Sequence, residues 1–290
     1  MIKNEKHSHR TSYSTSDSIY IGNYVNKKRN GQGKLILADQ CYYEGNFKDG
    51  EFDGNGFYRT RNYTYKGQFI AGKKNGKGKL ESFSNKSVYE GEFKNDMKEG
   101  YGIEKFNDGS IYKGYFVQGK KQGKGMLSLK KEKNNSVFEG EFKEDKICGK
   151  GKYIWENGKQ YDGEWENNEI SGFGVLTENN VKHIGYFVHN KKEGFGSSFY
   201  IEKKFVLIGK WINDLIEGVA IIFSLNDKNE INFNNDEKIV IMKEGNIIQS
   251  GLTEEEIKKI KENNEDYINA IKLFREKFNK EYTKTLINSE

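Results

Sequence analysis

Apolar and polar positions along this chain alternate in a pattern that returns every two dozen residues. An aromatic-x-Gly-x-aromatic segment, with a large apolar side chain or glycine at every second position, starts at Tyr20, Tyr43, Tyr65, Tyr89, Tyr112, Phe138 and Tyr161. It recurs in weaker form at His183 and Leu207. Successive starts are 23, 22, 24, 23, 26, 23, 22 and 24 residues apart. Each of the first eight repeats then carries Gly-x-Gly, from Gly31/Gly33 and Gly54/Gly56 through Gly194/Gly196, and the ninth has Gly218 followed by Ala220. A period of two predicts strands with one face apolar. The first segment of a repeat (Tyr89, Gly91, Phe93) and the second (Gly76, Gly78, Leu80) both show it. About six mostly polar residues lie between them, such as Ile70 to Asn75, and predict a hairpin with a polar loop.

The glycines sit at strand period, where a missing side chain marks the close approach of another group. They share a face with the aromatics. The expected packing therefore lays each ring over backbone left bare by glycine. A single hairpin is marginal alone, so the hairpins must stack on one another. The expected fold is mainly β: an elongated, twisted antiparallel sheet of stacked hairpins over residues 20–223. Residues 1–19 are expected to be disordered and residues 224–252 to form an irregular terminal hairpin. A helix is expected within residues 253–290, running from about 254 to 286 with a break near Asn263 and Asn264. Thr253 and Glu256 form a capping-box signature at its start. Ile260, Tyr267, Ile271, Phe274 and Phe278 then recur at helical spacing as one apolar stripe. That stripe either caps the last hairpins and hides their edge, or binds a partner or a second copy of the chain.

The repeats resemble those of the MORN (membrane occupation and recognition nexus) family. Tyr65-Lys66-Gly67-Gln68-Phe69 with Gly72 and Gly76-Lys77-Gly78 follows the family's unit, and so does Tyr112-Lys113-Gly114-Tyr115-Phe116 with Gly119 and Gly123-Lys124-Gly125. His183, Leu207 and Ala220 depart from it at the end of the array. The resemblance implies a non-enzymatic scaffold that binds a peptide or helix of a protein partner along the sheet groove. It also implies a cytoskeletal, axonemal or cortical assembly in the cytoplasm. Two alternatives stand beside that expectation, a peripheral adaptor for acidic phospholipids and an accessory subunit of an enzyme complex that supplies no chemistry.

Composition narrows the picture. Among 290 residues there are 33 Gly, 19 Phe, 18 Tyr, 3 Trp and no Pro, so the apolar content is concentrated in large rings. The net charge of +5 comes from 48 basic and 43 acidic side chains mixed along the chain, which does not suit a dedicated nucleic-acid binder. The first residues lack the apolar core of a secretory signal, and Ile2 excludes myristoylation. No phosphate-loop signature accompanies the Gly-x-Gly pairs, and Cys41, Cys148 and the four histidines stand apart from any metal or nucleophile constellation. No catalytic, metal or cofactor residue is assigned. The basic pairs Lys28-Arg29, Lys73-Lys74, Lys120-Lys121 and Lys191-Lys192 share two slots of the repeat. They are the candidate contacts for acidic lipid headgroups, each worth on the order of 1 kcal/mol at an anionic surface. The competing reading makes them a solvated edge.

Overall fold

The computed structural model describes residues 18–132, 134–231, 237–278 and 280–281, together with the backbone of residues 10–15. It divides into two compact units, residues 1–135 with 142–145 and residues 136–141 with 146–290. In the first, β1 (Arg10–Thr15), β2 (Ser18–Val25), β3 (Lys28–Leu37), β4 (Tyr42–Lys48), β5 (Glu51–Arg59) and β6 (Tyr63–Ile70) are followed by β7 (Lys73–Ser82), β8 (Val88–Lys94), β9 (Met97–Lys105), β10 (Ile111–Val117) and β11 (Lys120–Leu129). Each pairs antiparallel with the next. The register aligns the glycines across the strands, Gly45 against Gly56, Gly56 against Gly67, Gly67 against Gly78 and Gly78 against Gly91.

The repeat centred on Tyr65 shows why this sequence makes this hairpin. Ala71 and Gly72 form a two-residue turn at φ 48° and 78°, the left-handed backbone that matches strand twist in tight hairpins. The turn is shorter than the six-residue loop expected from the sequence, and the strands are correspondingly longer. The two glycines of Gly76-Lys77-Gly78 do different work. Gly76 has φ 79° and lies opposite a register shift between Gly67 and Phe69, the geometry of a glycine bulge. Gly78 lies under the Tyr65 ring, where a Cβ would stand 2.3 Å from the Tyr65 hydroxyl oxygen. The expectation that all the glycines underlie rings is corrected on this point: the first of each pair shapes the backbone, and the second makes room. The Tyr65 hydroxyl then donates to the Gln68 carbonyl at 3.0 Å, so the buried phenol keeps a partner.

Buried rings link the hairpins of this unit. Phe47, Tyr43, Phe69, Tyr65, Phe93, Tyr89, Phe116 and Tyr112 meet in succession, edge to face, with centroids 5.0–5.2 Å apart. Burial raises the phenol pKa, to about 12 for Tyr65 and Tyr112.

The second unit holds the first six residues of β12 (Ser136–Lys143), then β13 (Lys146–Ile154), β14 (Gln160–Glu166), β15 (Glu169–Glu178), β16 (Val181–Val188), β17 (Lys191–Tyr200), β18 (Phe205–Ile212), β19 (Leu215–Ser224), β20 (Lys238–Lys243) and β21 (Asn246–Gln249). From β13 to β21, each again pairs antiparallel with its successor. β20 and β21 are the expected irregular hairpin, and residues 232–236 of that segment lie outside the described residues. Helix α1 (Glu254–Asn263) begins at the capping box, with the Glu256 N–H donating to Thr253 Oγ1 at 3.2 Å and the Thr253 N–H donating to a Glu256 carboxylate oxygen at 2.8 Å. It stops at Asn264, whose side chain accepts from the Tyr267 N–H and starts α2 (Glu265–Leu273). A π-helical turn continues over Phe274–Phe278.

One boundary differs from the sequence reading. Residues 10–15, expected to be disordered, form β1 and pair with β2 from Arg10 opposite Asn23 to Thr15 opposite Ser18, and residues 18 and 19 open β2. Residues 1–9, 16 and 17 lie outside the described residues, as does the helix end expected near residue 286.

Candidate functional site

The basic pairs do not occupy loops. Because the turns are only two residues long, each pair opens the second strand of its hairpin. Alternation then sends the two side chains to opposite faces. The second member of each pair lies over the buried rings. Lys74 Nζ is 4.7 Å from the Tyr63 ring centroid and 3.8 Å from Asp96, with its side chain 12% exposed. Lys121 lies 5.4 Å from both the Phe106 and Tyr112 rings, and Lys192 lies 4.6 Å from Trp211. Arg29 lies 5.5 Å from Phe47. Burial lowers the pKa of Lys74 and Lys192, partly offset by Asp96 and Asp214 respectively. Arg29, Lys74, Lys121 and Lys192 therefore lie as cationic lids on the ring stack. Lys28, Lys73, Lys120 and Lys191 are exposed. Across each hairpin they stand opposite Val25, Ile70, Val117 and Val188, aliphatic side chains that are also exposed.

The helical stripe lies on the chain's own sheet. Phe274 is fully buried between Phe199 and Phe223, and the Phe278 ring stacks on Phe173 at 5.9 Å. Tyr267 is buried and donates its hydroxyl to Glu237 at 2.6 Å, while Ile260 and Ile271 pack against the same cluster. Burial, together with the Glu237 carboxylate, raises the Tyr267 pKa. Lys277 Nζ donates to the Tyr186 hydroxyl at 3.0 Å and lies over the Phe173 ring. Helix and turn cover a sheet face and not an edge, which corrects that part of the capping expectation. β21 remains exposed along its whole length.

The sequence reading missed which positions receive the helix. They alternate with the ring-bearing positions, so their side chains point to the opposite face. One residue after the leading aromatic stand Ile184 and Ile208. Between the two glycines stand Phe173 and Phe195, with Val219 in the same slot between Gly218 and Ala220, and just after the pair stand Val175 and Ile221. In the first unit these slots are held by Glu44, Lys66 and Glu90, then Asn55, Lys77 and Tyr101, then Phe57, Lys79 and Ile103. The change from charged to apolar was legible at fixed repeat positions, but the dominant aromatic pattern on the other face hid it.

In the first unit those residues line an open groove of about 1030 Å³, floored by the backbone of Gly45, Gly56, Gly67, Gly78, Gly91 and Gly102. Its charge is ordered. Lys66 stands directly opposite Lys79, a like-charge pairing that disfavours the bare sheet. Lys79 is compensated by Glu81 at 2.6 Å, and the Glu81 carboxylate holds the Lys79 pKa above its ordinary value. Lys77 stands directly opposite Glu92, whereas Lys66, opposite Phe57 and Lys79, forms no ion pair among the described residues. On the far side Glu92 stands opposite Glu99. Tyr101 and Phe57 supply apolar surface, Tyr101 being half exposed.

Among the described residues, no group of three or more His, Cys, Asp or Glu side chains is arranged to hold a metal ion. Among the described residues, no helix is long and apolar enough to cross a membrane. Set against known proteins, the chain matches the MORN repeat at residues 20–42, 43–64, 65–85, 89–111, 112–130, 138–160, 161–177 and 183–200. It is also similar to the protein named Alsin from Rattus norvegicus and from Homo sapiens, at 29% identity over 92 residues in each case. That similarity covers 30% of this chain and spans 6% of the length of each Alsin.

Proposed function

The chain belongs to the MORN repeat family, and on that footing we propose that it is a non-enzymatic scaffold whose first unit binds a protein partner in its glycine-floored groove. One observation carries this reading. The repeat positions that hold the chain's own helix in the second unit line an open groove in the first. The half-exposed Tyr101 ring on the same face as the unpaired Lys66 suits a protein surface better than bulk water. The setting we propose, from the family resemblance, is a cytoskeletal, axonemal or cortical assembly in the cytoplasm. A photo-reactive phenylalanine analogue at Tyr101, expressed in the native cell, is expected to give a discrete cross-linked adduct. The same analogue at Lys94, outside the groove, is expected to give none. Absence of an adduct at both Tyr101 and Phe57 contradicts the reading.

The exposed hairpin ends support a second reading, adhesion to acidic lipid surfaces. Val25, Ile70 and Val117 each present an aliphatic side chain beside an exposed lysine, a combination that suits an anionic membrane interface. Flotation with phosphatidylserine vesicles tests it. Binding lost on changing Lys28, Lys73 and Lys120 to Glu supports it, and no flotation at low salt removes it.

A further inference from the structure

Two tyrosines of the first unit stand apart from the ring stack. Tyr101 on β9 and Tyr115 on β10 lie directly opposite each other across the strands, edge to face, with ring centroids 5.6 Å apart. They are 50% and 53% exposed, and among the described residues no other tyrosine is exposed. We propose that this pair is a site of oxidative modification, at which a haem peroxidase supplied with hydrogen peroxide joins the two rings as dityrosine and so staples β9 to β10.

The repeat explains the geometry. Gln68 and Glu164, each just before the second aromatic of a repeat, arch over the bulge and accept from the N–H groups of Lys77 and Phe173, at 3.1 Å in both cases. Tyr115 holds this slot in its own repeat and carries no amide or carboxylate to take that bond. A Cβ on the bulge residue Gly123 would meet nothing within 4 Å, and the Tyr115 ring stands against Tyr101 instead. The Tyr112 hydroxyl holds the Tyr115 backbone in place by donating to its carbonyl at 3.1 Å. In the second unit the same two slots hold Phe173 and Tyr186, opposite each other at 5.4 Å. That pair has a single phenol, and Lys277 lies over both rings. The first unit therefore offers what the second lacks, two phenols in contact and open to an oxidant.

Each phenol gives up its hydroxyl hydrogen, as one electron and one proton, and the two hydrogens reduce one hydrogen peroxide to two waters through the peroxidase. The two phenoxyl radicals then join by a bond between carbons ortho to their oxygens. The ring hydrogens at those carbons move to the oxygens and restore both phenols. At 5.6 Å a small rotation of two exposed side chains brings the ortho carbons together. Burial confines the reaction to this pair. Tyr43, Tyr65, Tyr89, Tyr112 and Tyr161 are buried, with hydroxyls donating to carbonyls at 2.9–3.1 Å. Tyr58 and Tyr63 also meet, at 6.1 Å, but both are partly buried, and burial raises the pKa of each phenol.

The full chain, dilute enough to suppress contact between copies, is treated with peroxidase and hydrogen peroxide and then digested with trypsin. Tyr101 and Tyr115 fall in separate peptides, residues 99–105 and 114–120, and neither peptide holds another tyrosine. The expected product is these two peptides joined, lighter than their sum by two hydrogen atoms and carrying the blue fluorescence of dityrosine. Tyr115→Phe keeps the ring and removes the hydroxyl, and is expected to abolish that fluorescence. The cross-linked chain is expected to melt several degrees above the Tyr115→Phe chain treated in the same way, as for a bond closing a loop of about 15 residues. No joined peptide, a product that maps to Tyr58 and Tyr63, cross-links only between copies of the chain, or a yield unchanged in Tyr115→Phe overturns the proposal. A joined product that melts no higher overturns the stapling.

Discussion

Two sheet faces built on the same repeat end differently in the two units. In the second, the slots beside the glycines hold Ile184, Ile208, Val219 and Ile221, and the chain's own helix covers them. In the first, the same slots hold Glu44, Lys66, Lys77 and Glu90, and the face is a groove. Where a tyrosine leads the repeat its packing is the same in both: Tyr65 and Tyr161 each donate to the carbonyl three residues on, at 3.0 and 3.1 Å. The scaffold and the binding surface therefore belong to alternate positions of one strand. A repeat can keep its aromatic and glycine slots for stability while the slots between them change partner.

The largest expected effect tests the covered side of that contrast. Phe274→Ala empties a fully buried site and should cost about 3–5 kcal/mol, read as a lower midpoint in urea. Phe57→Ala, at the corresponding open surface, should cost far less. Similar losses for the two variants would mean that the helix is only loosely attached or that the groove is filled. The next effect is common to both units. Gly114→Val would put a Cβ 2.4 Å from the Tyr112 hydroxyl oxygen and should cost about 1–3 kcal/mol despite the strand preference of valine. A neutral result would contradict packing of rings over glycine.

The third prediction concerns the one ring slot where a histidine replaces tyrosine. His183 is buried, its Nδ1 pairs with Ser198 Oγ at 2.9 Å, and its Nε2 has no hydrogen-bond partner. His183→Tyr should restore the hydroxyl-to-carbonyl bond of the other repeats and raise stability by about 1 kcal/mol. Burial, reinforced by the Lys192 charge, lowers the His183 pKa well below 6.5. The unfolded chain then binds the extra proton first, so this contribution is complete above pH 6.5 and is lost as the pH falls towards the folded value. The difference in melting temperature between the variant and the parent should widen on acidification from pH 7 to pH 5. A constant difference would show that His183 takes up its proton equally in both states. The smallest expected effect is that of Lys66→Glu, a surface change within about 0.5 kcal/mol, to be read by the same melts. A large loss there would show that the groove charges support the fold instead of serving a partner.

The sequence made the hairpins legible because rings and glycines recur at a fixed period and strand geometry leaves them few alternatives. Thr253, Glu256 and Asn264 likewise marked the helix start and its break, since capping is a local matter of a few backbone groups. The basic pairs were harder to read. Turn length decides which face a residue takes, and two-residue turns such as Ala71-Gly72 put Lys74 over rings, where a longer loop would have freed it. The helix's resting place was harder still. It depends on a face whose pattern emerges only when Lys77, Phe173 and Val219 are compared across repeats at one position.

Carbene footprinting with mass spectrometry on the intact chain tests the contrast most directly, because it labels side chains according to exposure. The account predicts labelling at Phe57, Tyr101 and Ile103 and protection at Val175, Ile184, Ile208 and Ile221. Equal labelling of the two sets, or protection of Tyr101 in the isolated chain, would contradict it.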